Sequence, residues 1–254
     1  MDEQKIKEFA SLIQNSRSTV FFGGAGVSTE SGIKDYRSED GLYNTVKQYG
    51  VSPEEILSHT FFKMHPDIFY NFYYTYFLQS QAEPNPAHLA LAELERRGLL
   101  DAVITQNIDG LHQAAGSRNV LELHGTVFGY HCSRCGGAFP MQAVKALAGK
   151  IPVCEKCGGV IHPDVVLYEE GLNENTVNRS VQAIANAELL IIGGTSLAVY
   201  PAASYLGYFR GEHIVLINRD ETPYDGSASL IFREKIGETM TAVMKYIERE
   251  RAEQ

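Results

Sequence analysis

At 254 residues, with 44% hydrophobic and 21% charged residues, the chain is sized for one large domain or a domain carrying a smaller module. No apolar run approaches the roughly 20 residues that span a bilayer, and the opening MDEQKIKEF lacks the basic start and apolar core of a secretory signal, so a cytoplasmic protein with no membrane partner is expected. A net charge of −9 argues against a general phosphate-backbone binder, and hence against nucleic acid, and suits a basic partner such as a Lys-rich peptide.

Residues 4–15 carry Ile6, Phe9 and Ile13 at helical spacing and lead into an apolar strand over 19–22. The strand breaks at Gly23-Gly24, a bend able to present backbone N–H groups to a phosphate. The usual dinucleotide fingerprint is absent, because Thr29 stands where its third glycine belongs. Alone, the bend fits phosphate binding and an ordinary strand-to-helix turn equally well. Aromatic residues then crowd 43–77, and Pro66 marks the start of a helix bearing most of them, either as core packing or as the lining of a groove.

Asn85-Pro86 is a cap and first turn for a helix running to Gly98. A strand over 102–105 ends in Gln106-Asn107-Ile108-Asp109. A helix over 111–115 and a strand over 120–123 follow, the strand ending in His124-Gly125. Residues 126–160 read as an insertion. The alternation resumes with a helix over 174–187, a strand over 189–192 ending in Gly193-Gly194-Thr195-Ser196, a helix after Pro201, a strand over 214–217 ending in Asn218-Arg219-Asp220, and a last helix from Gly237.

Strands alternating with helices imply an α/β fold: a doubly wound, Rossmann-like parallel sheet covered on both faces. Residues 1–37, 86–128 and 160–254 are assigned to it. Residues 38–85 and 129–159 form a small domain, a helical part plus a metal module, with the ligand cleft between the two. Four strand ends (GGAG, TQNID, GGTS and INRD) along one sheet edge favour a dinucleotide crevice. In the insertion, Cys132-x2-Cys135 and Cys154-x2-Cys157 are 18 residues apart, the spacing of a closed structural zinc site. Reduced thiols in a cytoplasmic chain, and the use of every cysteine it has, disfavour disulfides and unrelated thiols.

Taken together, GAGVSTESGIKDYR, TQNIDGLHQAAG, ELHG, the paired CxxC motifs, GGTSLAVYPAA and LIN resemble the sirtuin family, NAD-dependent protein lysine deacylases, along nearly the whole chain. The resemblance implies NAD as co-substrate and structural zinc. It places Gly24, Ala25, Gly26 and Thr29 at the NAD phosphates, and Asp35, Tyr36 and Arg37 on a cofactor loop over the nicotinamide. Asn107, Ile108 and Asp109 fall at the carboxamide pocket, Gln106 at the nicotinamide ribose, and Gly194, Thr195, Ser196, Asn218, Arg219 and Ile236 around the adenosine half.

His124 matches the catalytic base and Asn107 joins it in the catalytic set. The acyl oxygen attacks the ribose as nicotinamide leaves. The base then helps a ribose hydroxyl attack the resulting alkylamidate, giving O-acyl-ADP-ribose and free lysine. His112 is expected to support the NID loop. The acyl-lysine peptide would add as a strand between two segments, touching Val166, Leu167, Tyr168, Glu169 and Val199. A monomer is expected.

The chain departs from the family pattern at Lys34 (usually Pro), at Tyr36 (usually Phe) and at Tyr168-Glu169-Glu170 (usually Phe-Gly-Glu). Glu169 is expected to put a carboxylate beside the peptide. Sirtuins that remove acidic acyl groups carry Tyr-x-x-Arg; here Tyr70-Asn71-Phe72-Tyr73 lacks the Arg, so a neutral acyl group, acetyl first, is expected. The alternatives are a mono-ADP-ribosyltransferase of the same family and, in a different class, a non-catalytic NAD- and zinc-binding module.

Overall fold

The computed structural model describes residues 2–33, 49–78 and 81–252. The cofactor-loop residues Asp35, Tyr36 and Arg37, with Lys34, lie outside them. Six parallel strands form the main sheet in the order β3-β2-β1-β7-β8-β9: β1 is Thr19–Gly23, β2 Ala102–Thr105, β3 Val120–Glu122, β7 Leu189–Gly193, β8 His213–Ile217 and β9 Leu230–Phe232. Strand order reverses between β1 and β7, which run in register from Thr19↔Leu189 to Gly23↔Gly193. Parallel pairing puts the loops GGAG, TQNID, GGTS and INRD on one edge, at the switch point where open α/β sheets bind ligands.

Because side chains alternate along each strand, the sheet feeds two cores. Phe21, Val103, Ile191 and Val215 pack with Ile6, Phe9 and Ile13 of the helix Glu3–Asn15, with Leu91 and Leu94 of Pro86–Arg96, and with Met240 and Val243 of Ile236–Ala252. Phe22, Ile104, Ile192 and Leu216 face the other way, against Ile184 of Glu174–Asn186 and Leu206 of the 3-10 segment Ala202–Tyr208. Asn85 closes its helix as expected: it accepts from Ala87 N at 2.9 Å, and its side-chain amide donates to the Val27 carbonyl at 2.7 Å. That second bond ties the helix to the glycine bend. Among the described residues no helix is long and apolar enough to cross a membrane.

A second, antiparallel sheet has the order β5-β4-β6, with β4 Gly125–Cys132, β5 Ala138–Pro140 and β6 Ile161–Val165. This sheet continues past the cysteine pairs, so the doubly wound alternation resumes at the helix Glu174–Asn186. The aromatic helix Pro66–Tyr73 and the turn Tyr74–Leu78 pack on it, sharing one core: Phe62, Phe69, Tyr70, Tyr74 and Tyr130 are buried with Val144 and Ile161. Tyr70 donates its hydroxyl to the Ile161 carbonyl and Tyr74 donates to Val144 O at 3.0 Å. Each buried ring contributes about 1.5–3 kcal/mol of transfer free energy, so most of the cluster is structural; Tyr73, Tyr76 and Phe77 also face the cleft described below.

Candidate active site

The switch-point edge opens into a cleft of about 460 Å³ between the main sheet and the aromatic and small-sheet layer. Its floor is built from strand ends. Ala25 and Gly26 line it from the loop after β1, Gln106 to Asp109 from the loop after β2, and Gly194, Thr195 and Ser196 from the loop after β7. His124 enters from the junction of β3 and β4. Val166, Leu167, Tyr168, Glu169 and Val199 form the walls.

Two glycines make this assembly possible. A Cβ on Gly26 would lie 2.8 Å from Gly194 Cα, and the Gly26 amide donates to Gly194 O at 2.8 Å. The two loops therefore touch backbone to backbone. Gly125 has φ +76°, and a Cβ there would sit 2.0 Å from Asp164 O. The small sheet can approach His124 only because position 125 has no side chain. Gly26→Ala is expected to lower stability by about 1–3 kcal/mol through overpacking and to weaken NAD binding as the loops part. Thermal melts and calorimetric NAD titration check it, and an unchanged NAD Kd would sink the cradle.

His124 Nδ1 lies 2.9 Å from the Gln106 carbonyl oxygen. A carbonyl only accepts, so Nδ1 carries the proton and Nε2 is the basic nitrogen. The backbone holds the residue from the other side, since Val166 N donates to His124 O at 2.9 Å.

Asn107 donates from Nδ2 to Gly24 O at 3.1 Å and to Ser28 Oγ at 3.0 Å; Ser28 donates in turn to Asp109 Oδ2 at 2.7 Å. Asp109 Oδ1 accepts from Leu111 N at 2.9 Å. This chain locks the NID loop to the glycine bend. Ser28, 1% exposed, is its hub, and sequence reasoning missed it; its place inside the GAGVS run was the one available signal. His112 is buried behind the loop, its ring against Phe21 and His88; burial, with His88 beside it, pushes it down to about 3. It is a neutral packing element, consistent with support of the NID loop.

Other expected contacts lie elsewhere. Thr29 is exposed and donates its hydroxyl to Gly26 O at 2.9 Å. Gly24 is buried under Thr195, whose Cβ a Gly24 side chain would meet at 2.9 Å. Asn218 donates to Asp220 O, with Arg219 beside it on the β8 loop, and Ile236 is buried against Gly193. None of these five lines the cleft.

The Glu169 carboxylate, on the cleft wall, accepts from Thr60 N at 2.9 Å, in the first turn of the helix His59–Met64. Hydrogen bonding from the Thr60 side chain and then its backbone, with the nearby His59, holds it below its ordinary value. Glu169 has φ +75° and Leu197 φ +57°. Each costs on the order of 1 kcal/mol as a non-glycine residue, and for Glu169 the helix-terminal bond offsets it. Both strained residues border the cleft walls.

NAD fits this cleft on two observations. The Gly26–Gly194 contact leaves bare backbone on the cleft floor, the room that a phosphate needs. Gln106 Nε2 is buried with no partner among the described residues, a donor suited to a ribose hydroxyl. At the far end of β4 the four cysteine Sγ atoms lie within 4.8 Å of one another, with Cys132–Cys157 at 3.4 Å and Cys135–Cys154 at 3.8 Å. Bonds of about 2.3 Å to a tetrahedral zinc require edges of about 3.8 Å. The set fits zinc and leaves no ligand position for water.

The Sir2 family profile matches residues 24–201. NAD-dependent protein deacetylases of Clostridium acetobutylicum and Cutibacterium acnes are each 50% identical, the first over 94% of this chain and 98% of its own length, the second over 95% and 98%. A solved Sir2 chain with a p53 peptide and NAD+ is 39% identical over 95% of this chain and 98% of that one, with a TM-score of 0.86. Another, with deacetylated p53 peptide and 3'-O-acetyl-ADP-ribose, is 40% identical over the same shares, also with a TM-score of 0.86. Matched by its profile over more than half its length and by close relatives from end to end, this chain belongs to the Sir2 family.

Proposed function

We propose that the chain is an NAD-dependent protein lysine deacetylase in which His124 is the general base. The observation that carries this is the fixed imidazole: its Nδ1 proton is committed to Gln106 O, and the residue sits in a cleft shared by Gly26, Asn107 and Thr195. NAD supplies the electrophilic ribose carbon. Gln106 Nε2 orients that ribose, Asn107 and Asp109 hold the carboxamide pocket in shape, and Val166, Leu167 and Val199 receive the substrate peptide. The peptide adds as a strand between the two walls, a mode that reads an acylated lysine with little regard for its neighbours. Four cysteines committed to one metal suit a reducing, cytoplasmic setting.

The acyl group is neutral. Tyr73 stands where an acid-selective enzyme carries Arg, and the Tyr70 hydroxyl is spent on Ile161 O. Lys145 reaches the rim, but as an exposed, solvated point charge it offers no planar fork. The test is NAD with acetyl- and succinyl-peptide, following nicotinamide, O-acyl-ADP-ribose and free lysine. Acetyl-peptide should give all three, with kcat/KM at least about 10-fold above succinyl-peptide, since the missing charge-assisted bond is worth about 1.5–3 kcal/mol. ADP-ribose retained on protein would favour the transferase reading, and equal turnover of the two peptides would sink the acyl assignment.

A further inference from the structure

A second cavity of about 550 Å³ lies behind the peptide wall; Val165, Val166 and Glu170 border both it and the cleft. Three residues converge at its edge, His59 from a distant segment and His162 and Glu170 from neighbouring ones. Glu170 Oε1 is 2.7 Å from His59 Nδ1 and 3.1 Å from His162 Nε2, and its other oxygen accepts from Leu167 N at 2.8 Å. His162 Nδ1 is 2.6 Å from the Pro163 carbonyl, so it must carry a proton. With Nδ1 committed to that carbonyl, Nε2 meets the carboxylate oxygen in one of two ways: as the second N–H of an imidazolium, or as a lone pair that shares a cation with it.

We propose that His59 Nδ1, His162 Nε2 and Glu170 form a second metal site, for a borderline divalent ion of the zinc, cobalt or nickel class. Two imidazoles and one carboxylate suit those ions better than magnesium or calcium. The three donor atoms lie within 4.8 Å of one another. The His162–Glu170 separation is already close to the edge of about 3.3 Å set by metal bonds of about 2.0–2.1 Å. His59, at the start of its helix with its side chain 37% exposed, has room to adjust. The Pro163 carbonyl on Nδ1 is the kind of outer partner that fixes a ligating histidine's tautomer. The fourth position faces the cavity and is left to water. Since Glu170 also holds the Leu167 amide, the ion would brace the wall that receives the peptide.

The test uses full-length protein with its four-cysteine site zinc-loaded, titrated with cobalt(II) by calorimetry and absorption. One further cobalt per chain is expected, without thiolate-to-cobalt charge-transfer bands. His59→Ala and His162→Ala should each weaken it at least about 10-fold, the cost of losing even an outer-shell partner; His213→Ala, at a remote half-buried histidine, should leave it unchanged. Should H162A fail to fold, H59A alone decides. No cobalt beyond the cysteine site, or equal affinity in H59A and the parent, overturns the proposal.

Discussion

His124→Ala should lower formation of deacetylated peptide by about 100- to 10,000-fold, the range for removal of a positioned general base, with the melting temperature unchanged. The two halves of this expectation have separate causes. What holds position 124 in place is backbone: the Val166 amide bonds to its carbonyl, and the conformation of Gly125 lets Asp164 O approach. The partner that orients the imidazole, Gln106 O, is backbone too. An alanine removes the imidazole and its bond to Gln106 O but keeps the Val166 bond and the Gly125 conformation, so the loss is chemical. It should also be selective. The base is needed for the ribose hydroxyl, after nicotinamide has gone, so peptide-dependent nicotinamide release should fall less than product formation. Equal loss of both, or a lowered melting temperature, would mean that His124 shapes the cleft and does not act as its base.

Legibility in the sequence followed the distance between interacting residues. The cofactor edge was readable because a parallel sheet forces strand ends together: once 19–22, 102–105 and 189–192 read as strands, GGAG, TQNID and GGTS had to be neighbours. The cysteine pairs were readable because ligand spacing is a local rule. Strand β9 escaped notice because three residues, Leu230–Phe232, carry no periodicity; only pairing to β8 defines them. The bond that the Glu169 carboxylate accepts was not legible, because its partner, Thr60, is 109 positions away. His59 and Glu170, 111 positions apart, were invisible for the same reason. The aromatic stretch read as core or groove, and the structure makes it both: Phe69 and Tyr70 are sealed in the small-sheet core, while Tyr73 reaches the cleft one turn on.

Removing the zinc should cost activity although no cysteine lines the cleft. Cys132 ends β4, whose first residue is Gly125, directly after His124, and Cys154 and Cys157 close the loop leading into β6. β4 and β6 pair from Cys132↔Ile161 to Gly125↔Val165, so the metal end and the catalytic end are two ends of one ladder. Structural zinc in small peptides contributes about 10–16 kcal/mol of apparent folding free energy. The aromatic core anchoring the ladder through Tyr70, Tyr74 and Tyr130 should retain part of this, leaving a loss of several kcal/mol. At about 2–4 °C per kcal/mol for a domain near this size, the melting temperature should drop by about 10 °C or more in Cys154→Ser or under chelation. Turnover should fall in parallel as His124 loses the support of Val166. Cadmium or cobalt supplied to the four-cysteine site should restore both fold and rate to similar extents. An ion with four thiolate ligands shapes the protein and touches no reacting atom. Chelated protein that keeps its melting temperature and its turnover would break the link between ladder and base.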